Sequence, residues 1–183
     1  IRLSILGDSL TAGYGLAEED ALPHQLEDLM RGGGYEIKVL GAGVSGDTSA
    51  GALERLDWVL KQNPHAIIVA IGANDGLRGL NPDGTYKNLR AIIKKLTTKK
   101  IPVLLCGMKA PPNLGSEYTV AFKNIYTRLA TEFDVVYYPF FLQGIITVSS
   151  LNQSDGIHPN EAGVKELVRR LEVKIIELLK RLP

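Results

Sequence analysis

Five short apolar runs, each followed by a stretch of helical period, constrain this chain more than any other feature. They are Ile1–Leu6, Tyr35–Leu40, Ala66–Ile71, Pro102–Cys106 and Val135–Tyr138. The stretches between them carry apolar residues at helical spacing: Leu22, Leu26, Leu29 and Met30; Leu53, Leu56, Val59 and Leu60; Leu89, Ile92, Ile93 and Leu96; Val120, Ile125 and Leu129 behind a Ser116 cap. A longer helix from Val164 to Leu179 closes the chain. Strands that alternate with helices form a parallel sheet with helices on both faces and right-handed crossovers. The expected fold is therefore α/β, three-layer α/β/α, on a five-stranded parallel sheet.

In that architecture every loop that follows a strand opens onto one rim, where ligands of open α/β sheets bind. The first run stops at Gly7-Asp8-Ser9-Leu10, which puts a serine hydroxyl at a strand end. Gly46 lies in the glycine-dense loop Gly41–Thr48 after the second run, and Asn74 in Gly72-Ala73-Asn74-Asp75-Gly76 after the third. Asp155 and His158 stand just before the last helix. The apolar segment Phe140–Leu151 has no clear period and reads as a short helix, a flap or a wall of the ligand site.

Bulk properties narrow the function. With 183 residues and 45% hydrophobic composition, the chain is expected to be a single domain over residues 1–183. Its 21 basic and 20 acidic residues form no block of one sign, so no nucleic-acid partner is expected, and a diffusible small molecule fits better. No apolar run approaches the roughly 18 residues of a membrane span, so no integral membrane segment is expected. The lone cysteine, Cys106, excludes an internal disulfide and a cysteine-rich zinc site, and it reads as core packing. Trp58, flanked by charge, reads as a cap on the core. The chain begins at a strand without Met, which fits a leader removed by a signal peptidase or a trimmed end. A periplasmic or secreted location is the expectation, the cytoplasm the alternative. Oligomeric state leaves no mark in the sequence.

A serine hydroxyl needs a base to take its proton during attack, and near neutral pH the natural base is an imidazole. His24 belongs to the first long helix and His65 to the opposite rim, which leaves His158 as the base. Asp155, three residues earlier across a glycine turn, supplies the acceptor that orients it. An oxyanion formed at Ser9 would meet the Ser9 N–H, the Gly46 N–H and the Asn74 side-chain amide. Asp8, Asp47 and Asp75 read as acceptors for loop N–H groups, because an unperturbed carboxylate is too weak a base for serine. The acyl pocket is expected from the loops Asp75–Leu80, Lys109–Tyr118 and Phe140–Leu151. Asp8, Asp75, Leu77, Ala110, Pro111 and Ile157 are the candidate substrate-binding residues.

Gly7-Asp8-Ser9-Leu10, Gly46 in Gly43-Val44-Ser45-Gly46-Asp47-Thr48-Ser49, Asn74 in its loop, and Asp155-Gly156-Ile157-His158-Pro159-Asn160 resemble the four motif blocks of the SGNH hydrolases, also called GDSL esterases/lipases. The resemblance covers essentially the whole chain and is narrowest to the bacterial arylesterase, thioesterase I and lysophospholipase branch. It implies a flavodoxin-like sheet, a triad of Ser9, Asp155 and His158, an oxyanion hole from Ser9, Gly46 and Asn74, and no cofactor or metal. It also implies hydrolysis of short- to medium-chain carboxylic esters, aryl esters among them, and of thioesters or lysophospholipids. Residues Gly107–Asn113 resemble the arylesterase side more than the thioesterase side. Two departures stand out: Gly144–Ser150 lacks the small, acidic character of that branch, and Gly41 replaces a frequent Asn.

Two rivals differ in kind. A metal-assisted hydrolase would use Asp8, Asp155 and His158 as ligands, and a non-catalytic binding module could occupy the same sheet. The α/β-hydrolase elbow G-x-S-x-G is not matched, since Thr11 takes the place of its last glycine.

Overall fold

The computed structural model describes residues 1–182. Its sheet has the strand order β2-β1-β3-β4-β5, all neighbours parallel. The strands are β1 (Arg2–Gly7), β2 (Lys38–Gly43), β3 (Ala66–Ala70), β4 (Val103–Cys106) and β5 (Val136–Tyr138). This is the flavodoxin-like order, with its switch point between β1 and β3. Both of those strands are buried on both faces, as their unbroken apolar runs require. Even Ser4, on β1, is fully buried.

The helices are α1 (Ser9–Ala12), α2 (Leu22–Gly32), α3 (Ser49–Glu54), α4 (Leu56–Leu60), α5 (Ala73–Leu77), α6 (Pro82–Thr98), α7 (Ser116–Glu132) and α8 (Glu161–Leu179). On one face α2 packs against α8; on the other α3, α6 and α7 pack in series. Local chemistry sets several starts. Asn81 accepts from the Asp83 N–H at 2.9 Å with Pro82 in the first turn of α6, and Asn160 accepts from the Gly163 N–H at 3.0 Å to open α8.

Several expectations need correction. The second strand is not Tyr35–Leu40 but Lys38–Gly43, because the Tyr35 N–H still closes α2 on the Met30 carbonyl, and pairing with β1 runs through the glycines. Those glycines belong to the strand for a packing reason: a Cβ on Gly41 would strike Pro23, and one on Gly43 would strike the backbone of Ala12. Ser116 is the first residue of α7 and not its cap, a position held by Gly115. Val120 is exposed, and the inward stripe of α7 is Phe122, Ile125, Tyr126 and Leu129. Trp58 is also exposed, since Leu56 and Val59 are the side chains that α4 turns to the core. The helix that carries them is divided at Arg55, whose side chain turns toward the sheet edge. Phe140–Leu151 is neither a helix nor a free flap: Phe141, Leu142 and Ile145 enter the core, Ile146 and Val148 stay exposed, and a short 3₁₀ turn spans Ser149–Leu151.

Candidate active site

Ser9 is set by the end of β1. Asp8 stops the strand and accepts from the Leu10 N–H at 3.0 Å, which starts the single turn α1 with Ser9 as its first residue. The Ser9 N–H therefore has no partner within the helix. A Cβ on Gly7 would collide with Thr11, so only glycine lets that turn fold back on its strand. Ser9 sits half-buried at the switch point of the sheet.

His158 arrives from the far end of the chain. Residues 152–159 form a tight loop closed by an antiparallel bridge between Asn152 and Pro159. Asp155 turns that loop: its Oδ1 accepts from the Ile157 and His158 N–H groups at 2.9 and 3.0 Å, and its Oδ2 lies 2.7 Å from His158 Nδ1. These bonds, from the His158 backbone and ring first and then the Ile157 N–H, hold the Asp155 carboxyl down at about 2. An ionised Asp155 fixes the proton of a neutral imidazole on Nδ1 and leaves Nε2 as the acceptor. Nε2 is 2.9 Å from Ser9 Oγ. The Tyr14 ring covers one side of the imidazole, with centroids 4.7 Å apart.

Asn74 lies in α5, and its side-chain amide donates to the Asp47 carbonyl at 2.9 Å, which leaves its second hydrogen free. Gly46 has φ 81°, so backbone conformation alone demands glycine there. Arg78 Nη2 donates to the Gly46 carbonyl at 2.7 Å, and Asp75 Oδ2 accepts from the Ser49 N–H at 2.8 Å. The loop after β2 and the turn after β3 are thus fastened to each other at three points.

The carboxylates expected near substrate are placed otherwise. Asp75 is 2% exposed, and its oxygens are taken by Ser49 and by Thr85 Oγ1. Asp8 is fully buried, and desolvation raises its carboxyl to about 6 against the pull of the Leu10 N–H. Neither is open to a substrate, so both belong to the loop framework. Asp47 fits the acceptor reading, with bonds from Thr48 N and Arg55 Nε. Leu77 and Ile157 are exposed on the rim, Ala110 and Pro111 half-buried. His65 Nδ1 accepts from the Arg2 N–H at the opposite rim, and His24 pairs with the Glu18 carbonyl. Cys106 is buried and its thiol pushed up by desolvation. Among the described residues no group of three or more His, Cys, Asp or Glu side chains converges as ligands.

Sequence reasoning missed Arg55, Gln153, Tyr14 and Arg78. Their partners here are mainly main-chain carbonyls, which leave no trace in sequence. The one available signal was an arginine at Arg55 on a stretch otherwise turned to the core by Leu53, Leu56 and Val59.

A profile described as the GDSL-like Lipase/Acylhydrolase family matches residues 5–165. The chain belongs to that family. It is 42% identical over 159 residues to the Thioesterase 1/protease 1/lysophospholipase L1 of Escherichia coli strain K12, covering 86% of this chain and 75% of that protein. It is 36% identical over 179 residues to an Arylesterase of Vibrio mimicus, covering 93% and 90%. The crystal structure of TesA superposes with a TM-score of 0.92 at 35% identity, over 97% of this chain and 99% of that one. By family, this GDSL-like protein is an acyl hydrolase, and its five-stranded sheet is the family fold.

Proposed function

We propose that this GDSL-like hydrolase cleaves short- to medium-chain carboxylic esters, with aryl esters, thioesters and lysophospholipids in its range, through an acyl-enzyme on Ser9. The carrying observation is the unbroken line Ser9 Oγ, His158 Nε2, His158 Nδ1, Asp155 Oδ2, with gaps of 2.9 and 2.7 Å. His158 takes the hydroxyl proton as Ser9 Oγ attacks the acyl carbon, and Asp155 stabilises the imidazolium that forms. The oxyanion is received by the Ser9 N–H, the Gly46 N–H and the free hydrogen of the Asn74 amide, each contributing about a hundredfold or more when preorganised. Collapse expels the alcohol or thiol, which leaves with the proton from His158. Water then attacks the acyl-enzyme with His158 again as base.

An acyl substrate is supported by the rim itself. Tyr14, Val44, Leu77, Leu114, Val148 and Ile157 are all exposed, and they come from the connections that follow the five strands. Exposed apolar groups on the connections that open onto the carboxyl-end rim of the sheet fit an alkyl chain better than a sugar or a charged peptide.

The test is hydrolysis of p-nitrophenyl esters from acetate to decanoate by the protein and its Ser9→Ala variant, both in EDTA. Activity lost in the variant alone supports the serine route, and the chain-length optimum sizes the pocket. Equal rates in both proteins would overturn it.

A further inference from the structure

Ser9 and His158 are 149 residues apart, and the bond between them must be held by something other than itself. We infer that Gln153 and Tyr14 form a positioning latch that holds His158 in line with Ser9. The inference rests on the triad reading above and adds two residues to it.

The latch is a closed ring of hydrogen bonds. The Tyr14 N–H donates to the Ser9 carbonyl at 3.1 Å. The Tyr14 carbonyl accepts from Gln153 Nε2 at 2.7 Å. The Gln153 N–H in turn donates to the His158 carbonyl at 2.8 Å, and the ring closes through Ser9 Oγ and His158 Nε2. Gln153 Nε2 also donates to the Pro159 carbonyl at 3.0 Å. Both hydrogens of one primary amide are thus used, one on the nucleophile's loop and one on the base's loop. Because both partners are acceptors, they also fix which end of the amide is nitrogen.

Two further features tie the latch to the imidazole. The Tyr14 ring packs 4.7 Å from the His158 ring at an interplanar angle of 38°, so the segment that Gln153 fastens also limits how far His158 can swing. Gly15, in the turn beside Tyr14 that receives the Gln153 amide, has φ 75°, a backbone conformation that glycine adopts freely. Gln153 touches no reacting atom. It acts through the geometry of two loops, and displacements of about 1 Å can cost about a hundredfold in rate.

The informative variants are Gln153→Glu, nearly isosteric but presenting oxygens to two carbonyls, and Gln153→Asn, which keeps the amide and shortens its reach. Both are assayed with p-nitrophenyl butyrate beside Ser9→Ala, with thermal melts to confirm folding and a fluorophosphonate to time Ser9 labelling. The expected result is a fall in kcat of roughly tenfold to a hundredfold, KM within about threefold, and labelling slowed in proportion. A Ser154→Ala control next door keeps its rate. Tyr14→Ala combined with Gln153→Asn should lose less than the product of the single losses, since both act in one ring. Folded Gln153 variants with kcat within twofold of the parent, while Ser9→Ala is dead, would overturn the latch and leave the triad standing. Activity retained in Ser9→Ala would overturn both. Should Gln153→Glu fail to fold, Gln153→Asn decides alone.

Discussion

Arg55 Nη2 donates to the Gly7 carbonyl at 2.7 Å, two residues ahead of Ser9. The same guanidinium reaches the Ala42 carbonyl at 2.8 Å and Asp47 Oδ2 at 2.7 Å. One side chain therefore joins the end of β1, the end of β2 and the loop that carries Gly46. Its side chain is 19% exposed and that of Asp47 10%, so the pair is shielded from solvent. Arg55→Met should destabilise the protein by roughly 2–3 kcal/mol, because it strands the Asp47 carboxylate and two strand-end carbonyls. Arg55→Lys should recover little of that, since the three donors of an ammonium radiate from one nitrogen and cannot span the separate acceptors that Nε, Nη1 and Nη2 reach. Urea denaturation measures both, and a loss under about 0.5 kcal/mol for Arg55→Met would contradict the hub.

Asp155→Asn should leave the loop folded yet lower kcat by about 10²–10⁴-fold, because an amide no longer fixes the proton on Nδ1. The pH dependence has a definite sign. The folded carboxyl is held at about 2, below its ordinary 3.8, so its stabilising bonds are present above about pH 4 and lost as pH falls toward 2. Melting temperatures between pH 5 and pH 2 should therefore fall more steeply for the parent than for Asp155→Asn. Parallel curves would contradict it.

Asp8 carries the opposite sign. Burial raises its carboxyl from 3.8 to about 6, so folding favours the protonated form, and stability drains away as pH rises from about 4 through 6. Asn retains an acceptor for the Leu10 N–H without the ionisation. Asp8→Asn should match the parent near pH 4 and exceed it by about 3 kcal/mol near pH 7, since each tenfold difference in proton affinity between the folded and unfolded chain is worth about 1.4 kcal/mol. Denaturant midpoints at the two pH values test it; an offset that does not change with pH would sink the assignment.

Legibility in the sequence followed the kind of contact. Ser9, Asn74 and His158 were readable because each stands at the end of an apolar run or the start of a helix, and topology alone sends those points to one rim. Gly41 and Gly43 read as loop in the sequence yet lie in the second strand, where the close approach of Pro23 and Ala12 leaves no room for a Cβ. Val120 faces solvent because a spacing of five to Ile125 is off the 3.6-residue stripe that Phe122, Tyr126 and Leu129 define. The substrate role given to Asp75 failed for a different reason: Ser49 and Thr85, 26 and 10 residues away, capture its carboxylate. Polar side chains bonded across such separations have no local signature.

The apolar rim makes the last prediction. Leu77 is 47% exposed and Leu114 37%, and a Cβ on Gly79 would lie 3.8 Å from a Leu114 methyl, so the loops after β3 and β4 meet beside the site. Tyr118 locks that junction, its hydroxyl donating to the Leu80 carbonyl at 2.7 Å. An alkyl chain leaving Ser9 along this junction would bury methylenes against Leu77 and Leu114, at about 0.8 kcal/mol for each one removed from water. Leu77→Ser should therefore cut kcat/KM for p-nitrophenyl decanoate by roughly tenfold and for the acetate far less. The difference should build up with chain length and sit in KM, since the scissile carbonyl is untouched. If acetate and decanoate lose activity equally, Leu77 supports the turn that carries Asn74 and does not hold the acyl chain, and the chain must run instead toward Val148 and Ile157.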